Sequence, residues 1–317
     1  MGFFMDLGIG KKLLILVAFI PLVSCSTGRR EIPSGSPARY HNSMGLAFLR
    51  QENPERAILE FSKAIQMHPQ YAEAHFNLGL AYYRKRMINA AFIQFEKAID
   101  SDPSHVEACY RLGLIHHGRG DFDRAIKAYR KTIRKNPGHA RAHFHLAVAY
   151  ETIGNLKEAV AELEQAIDIN PLSIEARNRL GLVLEKSGLL DEAIIQYQAS
   201  IKVDSTHAES YNLLGSAYFK TGRYGEAFSA WEKALGINPT YPEALYNMGL
   251  AHMNMGELNQ AIAAFKRAIA LRPNFALAHF NLGRVYYMSN MKKEAAKEWN
   301  RARQIDPRLG LKGFPGS

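Results

Sequence analysis

Cysteine is nearly absent: Cys25 and Cys109 are the only two in 317 residues. That is too few for a disulfide framework or a cysteine-built zinc site. Prolines number 13, and with 47% hydrophobic and 10% aromatic residues the chain is neither disordered nor collagen-like. It holds no Gly-rich phosphate loop, no GxSxG elbow and no metal-ligand spacing. Catalytic residues are therefore not expected, and neither is a cofactor or a metal. The apolar run Leu13–Ile20 is broken by Pro21, well short of the ~20 residues that a membrane span needs. Acidic charge is the scarcer sign, 30 residues against 40 basic ones, for a formal net charge of +10. Such a balance favours partners of negative charge without naming them.

What is present begins with a leader. Lys11 and Lys12 stand ahead of the apolar run, and Leu22-Val23-Ser24-Cys25 follows Pro21. A basic start, a short apolar core and small residues before a cut describe a secretory signal peptide over residues 1–24. The tetrapeptide resembles a bacterial lipobox. The resemblance implies that Cys25 becomes the mature N-terminus, carrying lipid on its sulfur and a fatty acyl chain of the palmitate kind on its amine. Several chains at ~0.8 kcal/mol per buried methylene would hold the protein firmly to a membrane. The alternative is an ordinary cleaved signal with an incidental cysteine. Myristoylation of Gly2 fails, because Asp6 stands where Ser or Thr is required. In lipoproteins of this type a residue other than Asp after the lipidated cysteine, here Ser26, favours the outer membrane. The expected location is thus the cell envelope: the periplasmic side of an outer membrane if the source has one, otherwise the outer face of the plasma membrane. Residues 25–37 form a linker with Pro, Ser and Gly that reaches at most ~45 Å when extended. Arg29 and Arg30 within it either meet anionic head groups or are simply solvated.

A period of 34 residues organises the rest. Pro69, Pro103, Pro137, Pro171, Pro239, Pro273 and Pro307 are spaced by 34, with one double step over Ser205. Numbering each proline as position 32 gives eight ungapped units: 38–71, 72–105, 106–139, 140–173, 174–207, 208–241, 242–275 and 276–309. Position 20 is alanine in all eight, from Ala57 to Ala295, and position 8 is glycine in all but the fourth, which has Ala147. In the second unit Leu78-Gly79, Tyr82, Ala91, Phe95, Ala98 and Pro103 fall at positions 7, 8, 11, 20, 24, 27 and 32. This pattern resembles the tetratricopeptide repeat, a helix–turn–helix unit. The resemblance implies an all-α, right-handed solenoid, and the internal period itself points to a stack of supersecondary units. The small residues at 8 and 20 let two helices approach closely. Glycine at position 15 in the middle units, and Asn290 in the last, suit the left-handed turn that ends a first helix. Positions 17, 21 and 28 are mostly apolar but become Lys292, Ala296 and Arg303 in the eighth unit. The array is therefore expected to close with a polar face at about residue 309, with no separate C-terminal domain and 310–317 as a loose tail.

The first helix of each unit has a second stripe at positions 2, 5, 6, 9, 12 and 13, which in tetratricopeptide arrays lines a concave groove. Position 9 holds Leu80 and Leu114, position 5 holds Phe76, Tyr110, Phe144, Tyr246 and Phe280, and position 12 holds Tyr83, with Glu151 and Glu185 farther along. These residues predict an apolar and aromatic trough for a protein or peptide segment. The leucines either line it or are covered by the next first helix. Position 6 carries Asn77, Asn247 and Asn281, with Arg111 among its other occupants. In some relatives, asparagines at this place grip the backbone of an extended peptide. No unit combines lysine at 5 with asparagine at 9, so a C-terminal acidic peptide is not expected.

Charge is uneven. Unit three is net +5, and Arg124, Lys127, Lys131 and Arg134 lie along one face of its second helix. That face is either a dock for an anionic envelope polymer, peptidoglycan or an acidic polysaccharide, or ordinary solvated surface. Unit eight, at net +4, is a second candidate. Nucleic acid is not an expected partner for an exported protein. His41, His75, His143 and His279 all stand at position 4, one unit apart and too distant to share an ion with bonds near ~2 Å. They are expected to pack at the seam between units, as is Cys109 at the same position. His117 and His145 are expected to be neighbours in the groove. The function expected from these features is a non-enzymatic, lipid-anchored scaffold for protein partners, similar to the tetratricopeptide lipoproteins that serve as pilotins and envelope adaptors.

Overall fold

Each unit needs two places where a helix can stop, and the chain supplies them. Position 15 takes a left-handed backbone in every unit: Glu52, Arg86 and Asn290 at φ 57°, 58° and 61°, and Gly120, Gly154, Gly188, Gly222 and Gly256 at φ between 76° and 85°. That conformation ends the first helix and turns the chain into the second. Near position 32 the proline ends the second helix by restricting the residue before it. The computed structural model describes residues 32–310. The leader, Cys25, the linker before Ile32 and the tail from residue 311 lie outside the described residues.

Within them run sixteen α-helices and a closing 3-10 turn, with no strand. The helices pair as α1 (Pro37–Arg50) with α2 (Pro54–Met67), α3 (Ala72–Arg84) with α4 (Ile88–Ser101), α5 (Val106–Gly118) with α6 (Phe122–Lys135), and α7 (Ala140–Thr152) with α8 (Leu156–Ile169). They continue as α9 (Ile174–Lys186) with α10 (Leu190–Val203), α11 (Ala208–Lys220) with α12 (Tyr224–Ile237), α13 (Pro242–Asn254) with α14 (Leu258–Leu271), and α15 (Ala276–Met288) with α16 (Lys292–Ile305). Each hairpin then packs on the next, which makes an α-solenoid whose contacts are almost all between neighbours.

One pairing closes each hairpin. A Cβ placed on Gly79 would lie 2.6 Å from the ring of Phe95, and one on Gly113 would lie 2.5 Å from the ring of Tyr129. The same holds for Gly45 under Phe61, Gly249 under Phe265 and Gly283 under Trp299. Position 8 is thus bare because the ring at position 24 occupies the space a side chain would need there. The fourth unit explains its own departure: Ala147 faces not a ring but Leu163, and both are fully buried. A methyl gained on one helix is offset by a ring lost on the other. The alanines at position 20 are all fully buried beside this contact.

The histidines at position 4 do more than pack. His41, His143 and His279 hydrogen-bond through Nδ1 to Glu60, Glu162 and Glu298 on the second helix of the same unit, each at 2.6 Å. His75 makes the same link to Gln94. Nε2 of His75, His143 and His279 reaches back to the carbonyls of Pro69, Pro137 and Pro273, tying each unit to the end of the one before. In unit three the pair is Cys109 and Ala128, both small, and a cavity of about 380 Å³ stands there. At the far end, Lys292, Ala296 and Arg303 of α16 are exposed, where their counterparts Leu258, Ile262 and Ile269 are packed.

Two expectations follow from the backbone and the ring contact. A left-handed conformation costs a residue with a Cβ roughly 1–2 kcal/mol, part of which the added freedom of glycine in the unfolded chain takes back. Glu52→Gly and Arg86→Gly should each raise the urea midpoint, with a gain of about 0.5–1 kcal/mol. Gly113→Ala should cost about 1–3 kcal/mol through overpacking. Combining it with Tyr129→Leu, which copies the Ala147–Leu163 pair, should recover much of that loss, so a double-mutant cycle in urea should show strong coupling. Additive losses would contradict the contact.

Candidate binding groove

Successive first helices touch: α1 with α3, α5 with α7, α9 with α11, α11 with α13, and α13 with α15. Second helices of neighbouring units stand farther apart. The first helices therefore line the inner curve of the stack. Along it Leu46, Leu80, Leu114, Val148, Leu182 and Leu250 are partly buried, wedged between neighbouring units with one edge facing out. Tyr83 and Tyr287 stand exposed at position 12, at 37% and 39% of their surface. Phe144 and Phe280 are partly buried. These residues can offer apolar surface to a segment lying in the groove.

The other aromatics expected there are spent on the stack. Phe76 and Tyr110 are buried, at 8% and 3% exposure. Phe76 packs on His105 and Tyr110 on His139, each with ring centroids 4.7 Å apart. Tyr246 meets Phe275 in the same way at 4.9 Å. The covering ring is the residue that precedes the next unit's first helix. His105, His139 and His207 also cap that helix, Nδ1 accepting from the backbone N–H of Ala108, Ala142 and Ser210. This joint escapes a reading that follows only the helical stripes. Its signal is an aromatic or imidazole ring at position 34 opposite the ring at position 5.

The asparagines at position 6 are likewise committed inward. Asn77 and Asn281 are buried. Asn77 donates to Asn42 Oδ1 at 3.0 Å and Asn247 to Asn212 Oδ1 at 3.0 Å, while Asn281 donates to the Tyr246 hydroxyl at 2.9 Å. Each reaches the position-5 side chain of the previous unit, so it fixes register between units rather than waiting for a peptide backbone. Arg111 is held by Glu107 at 3.1 Å.

The middle of the inner face is polar. Glu151 accepts from Lys186 and Arg179 of the following unit, and Glu185 accepts from Lys220 of the one after that. Glu185 also takes the hydroxyl hydrogen of Tyr197, Oη to Oε1 at 3.0 Å. Beside this stretch lie His117, Tyr129 and His145. The Tyr129 and His145 rings stack at 6.0 Å, and those of His117 and Tyr129 are 6.4 Å apart. Burial and the neighbouring charge of His117 push His145 down to about 4, and burial lowers His117 as well. Burial raises the Tyr129 phenol far above its ordinary value. Both histidines are therefore held neutral near pH 7.

On the outer side Arg124, Lys127 and Arg134 are exposed, but Arg124 pairs with Asp121 at 3.3 Å. Lys131 turns into the cavity beside Cys109, with Glu96 and Asp100 across from it. Local carboxylates thus offset part of this basic face. Burial pushes the Cys109 thiol up, so it stays protonated. Among the described residues no three His, Cys, Asp or Glu side chains stand together as a metal site. No helix among them is long and apolar enough to cross a membrane.

Comparison with known proteins places this architecture. A family model described as Tetratricopeptide repeat matches residues 42–106, 90–130, 110–174 and 154–202. One described as TPR repeat matches 186–222, 215–256 and 253–290, and a further Tetratricopeptide repeat model matches 276–309. No curated protein matches the chain. Among solved structures, YrrB, described as a TPR protein with an unusual peptide-binding site, is 25% identical. That likeness covers 58% of this chain and 95% of YrrB, with a TM-score of 0.52. Pseudomonas aeruginosa pilF is 18% identical over 66% of this chain and 95% of its own, with a TM-score of 0.57. A tetratricopeptide repeat protein from Parabacteroides merdae is 17% identical over 83% of this chain and all of its own, with a TM-score of 0.58. With a ring laid on glycine in seven hairpins, a left-handed turn in all eight, and family models matching from residue 42 to 309, the chain belongs to the tetratricopeptide repeat family.

Proposed function

We propose that this protein is a scaffold that docks a segment of a partner protein along its inner face while a lipid on Cys25 holds it at a membrane of the bacterial envelope. The observation that carries the docking half is the row of leucine edges with Tyr83, Phe144 and Tyr287. Packing between units consumes Phe76, Tyr110 and the asparagines but leaves this row open. Apolar surface left open along one face suits an interaction site. The peptide-binding site named for YrrB, the more similar in sequence of these structures, supports the same use of the fold. The anchoring half rests on the leader and on Leu22-Val23-Ser24-Cys25. Tethering raises the effective concentration of the groove near membrane-bound partners. A role in pilus or secretion assembly is the finer form of this proposal, and the likeness to pilF bears on the fold alone.

Site-specific photocrosslinking in the native envelope tests the docking half without disturbing the packing. A photoreactive residue at Tyr83 or Tyr287 should yield discrete partner adducts, and one at the outer-face positions Leu59 or Ile93 should not. Adducts arising mainly from the outer face, or from Arg124 and Lys127 and lost as salt rises, would favour the anionic polymer instead. Cys25→Ser should release the protein from membranes and remove the acyl mass from its N-terminus. Unchanged membrane retention would overturn the anchor.

A further inference from the structure

One place on the inner face holds buried polar atoms with no answer among the described residues. The Tyr129 hydroxyl and His117 Nδ1 have no hydrogen-bond partner there, and Tyr129 is fully buried. An unmade bond to a buried donor costs free energy that native proteins rarely leave standing. Unit five shows what belongs in such a place. Its ring at position 24 is Tyr197, and the hydroxyl donates to the position-12 carboxylate of Glu185, itself paired with Lys220. Unit three has the same phenol at position 24, but position 12 is His117. The phenol is there and the carboxylate is missing.

The surroundings select the sign of the missing group. His145 lies near the positive charges of Arg141 and Arg179 and near His117 and His139. The carboxylates close by are already taken: Glu107 by Arg111 and His139, Glu151 by Arg179 and Lys186. Tyr129 stays protonated, and its hydroxyl hydrogen calls for an acceptor. Among the described residues the hydroxyl bonds to none.

We propose that an aspartate or glutamate side chain within the docked segment seats between His117 and His145 and accepts from the Tyr129 hydroxyl, taking in unit three the role that Glu185 has in unit five. The inference rests on docking along the inner face and adds the chemistry that the partner must bring. Both histidines are partly exposed, so an incoming carboxylate can reach their rings from the groove. An anion at this point favours the charged imidazoles.

The test titrates the full chain, labelled with 15N in its histidine rings, with a blocked alanine peptide carrying one central glutamate and with its glutamine counterpart. The glutamate peptide should shift His117 and His145 saturably toward the imidazolium form, and the glutamine peptide should bind about tenfold more weakly. Tyr129→Phe keeps the ring against Gly113 and should weaken the glutamate peptide by about tenfold. His117→Glu supplies the carboxylate from within and should abolish the shift at His145 while raising the unfolding midpoint. Equal binding of the two peptides, or a Tyr129→Phe affinity like wild type, would overturn this inference and leave inner-face docking standing. Absence of any saturable shift at His117 and His145 would overturn it as well. Docking itself is decided separately by the crosslinks from Tyr83 and Tyr287.

Discussion

The rest of the structure depends on an aromatic ring pressed against a bare backbone. Seven hairpins close this way, position 24 on position 8, and the remaining one, the fourth, closes with Leu163 on Ala147. The contact sets how near the two helices of a unit can come, and that spacing is inherited by every junction that follows. Because each unit is closed locally and stacks only on its neighbours, small offsets within a unit remain within it. Unit three can lack the histidine–glutamate clasp and keep a cavity beside Cys109 without disturbing the hairpins around it.

The fold was legible because the constraints are local and periodic. Ala57 to Ala295, the glycines at position 8 and the prolines near position 32 report directly on close approach and helix ends, and each recurs at the same spacing. The inner face was legible only in part. A stripe of residues on one side of a helix shows which way side chains point, but not what covers them. Phe76 and Tyr110 lie on the stripe expected to face a ligand, yet His105 and His139 roof them, because the ring that caps the next helix comes from outside that stripe. The place of Asn77 in the repeat suggests a donor to a peptide, but Asn42, one unit back on the neighbouring first helix, takes its hydrogen. The pairing of Lys186 with Glu151 and of Lys220 with Glu185 spans 35 residues in each case, one more than the period, and is invisible unless adjacent units are compared. The leader and Cys25 lie outside the described residues, so their reading stands on sequence.

What remains open after packing is the surface proposed for docking. Leucine edges and exposed tyrosines run along the inner curve, interrupted by a polar middle in which carboxylates and cations are matched between units. The match fails around Tyr129, whose hydroxyl has no hydrogen-bond partner among the described residues. Specific recognition depends as much on such unmet polar groups as on apolar area, since a partner that fails to answer them leaves them buried and unpaired. A scaffold with no catalytic constellation in its sequence can still be selective by this means.

The central claim, that stability is assembled from hairpins closed one at a time, is tested most directly by native-state hydrogen exchange along the whole array. Protection should peak at the second-helix amides around the alanine at position 20 and the ring at position 24 within each unit. It should fall stepwise toward the first and last units, which have one neighbour instead of two. A single uniform level of protection from α1 to α16, with all amides exchanging through one global opening, would contradict it.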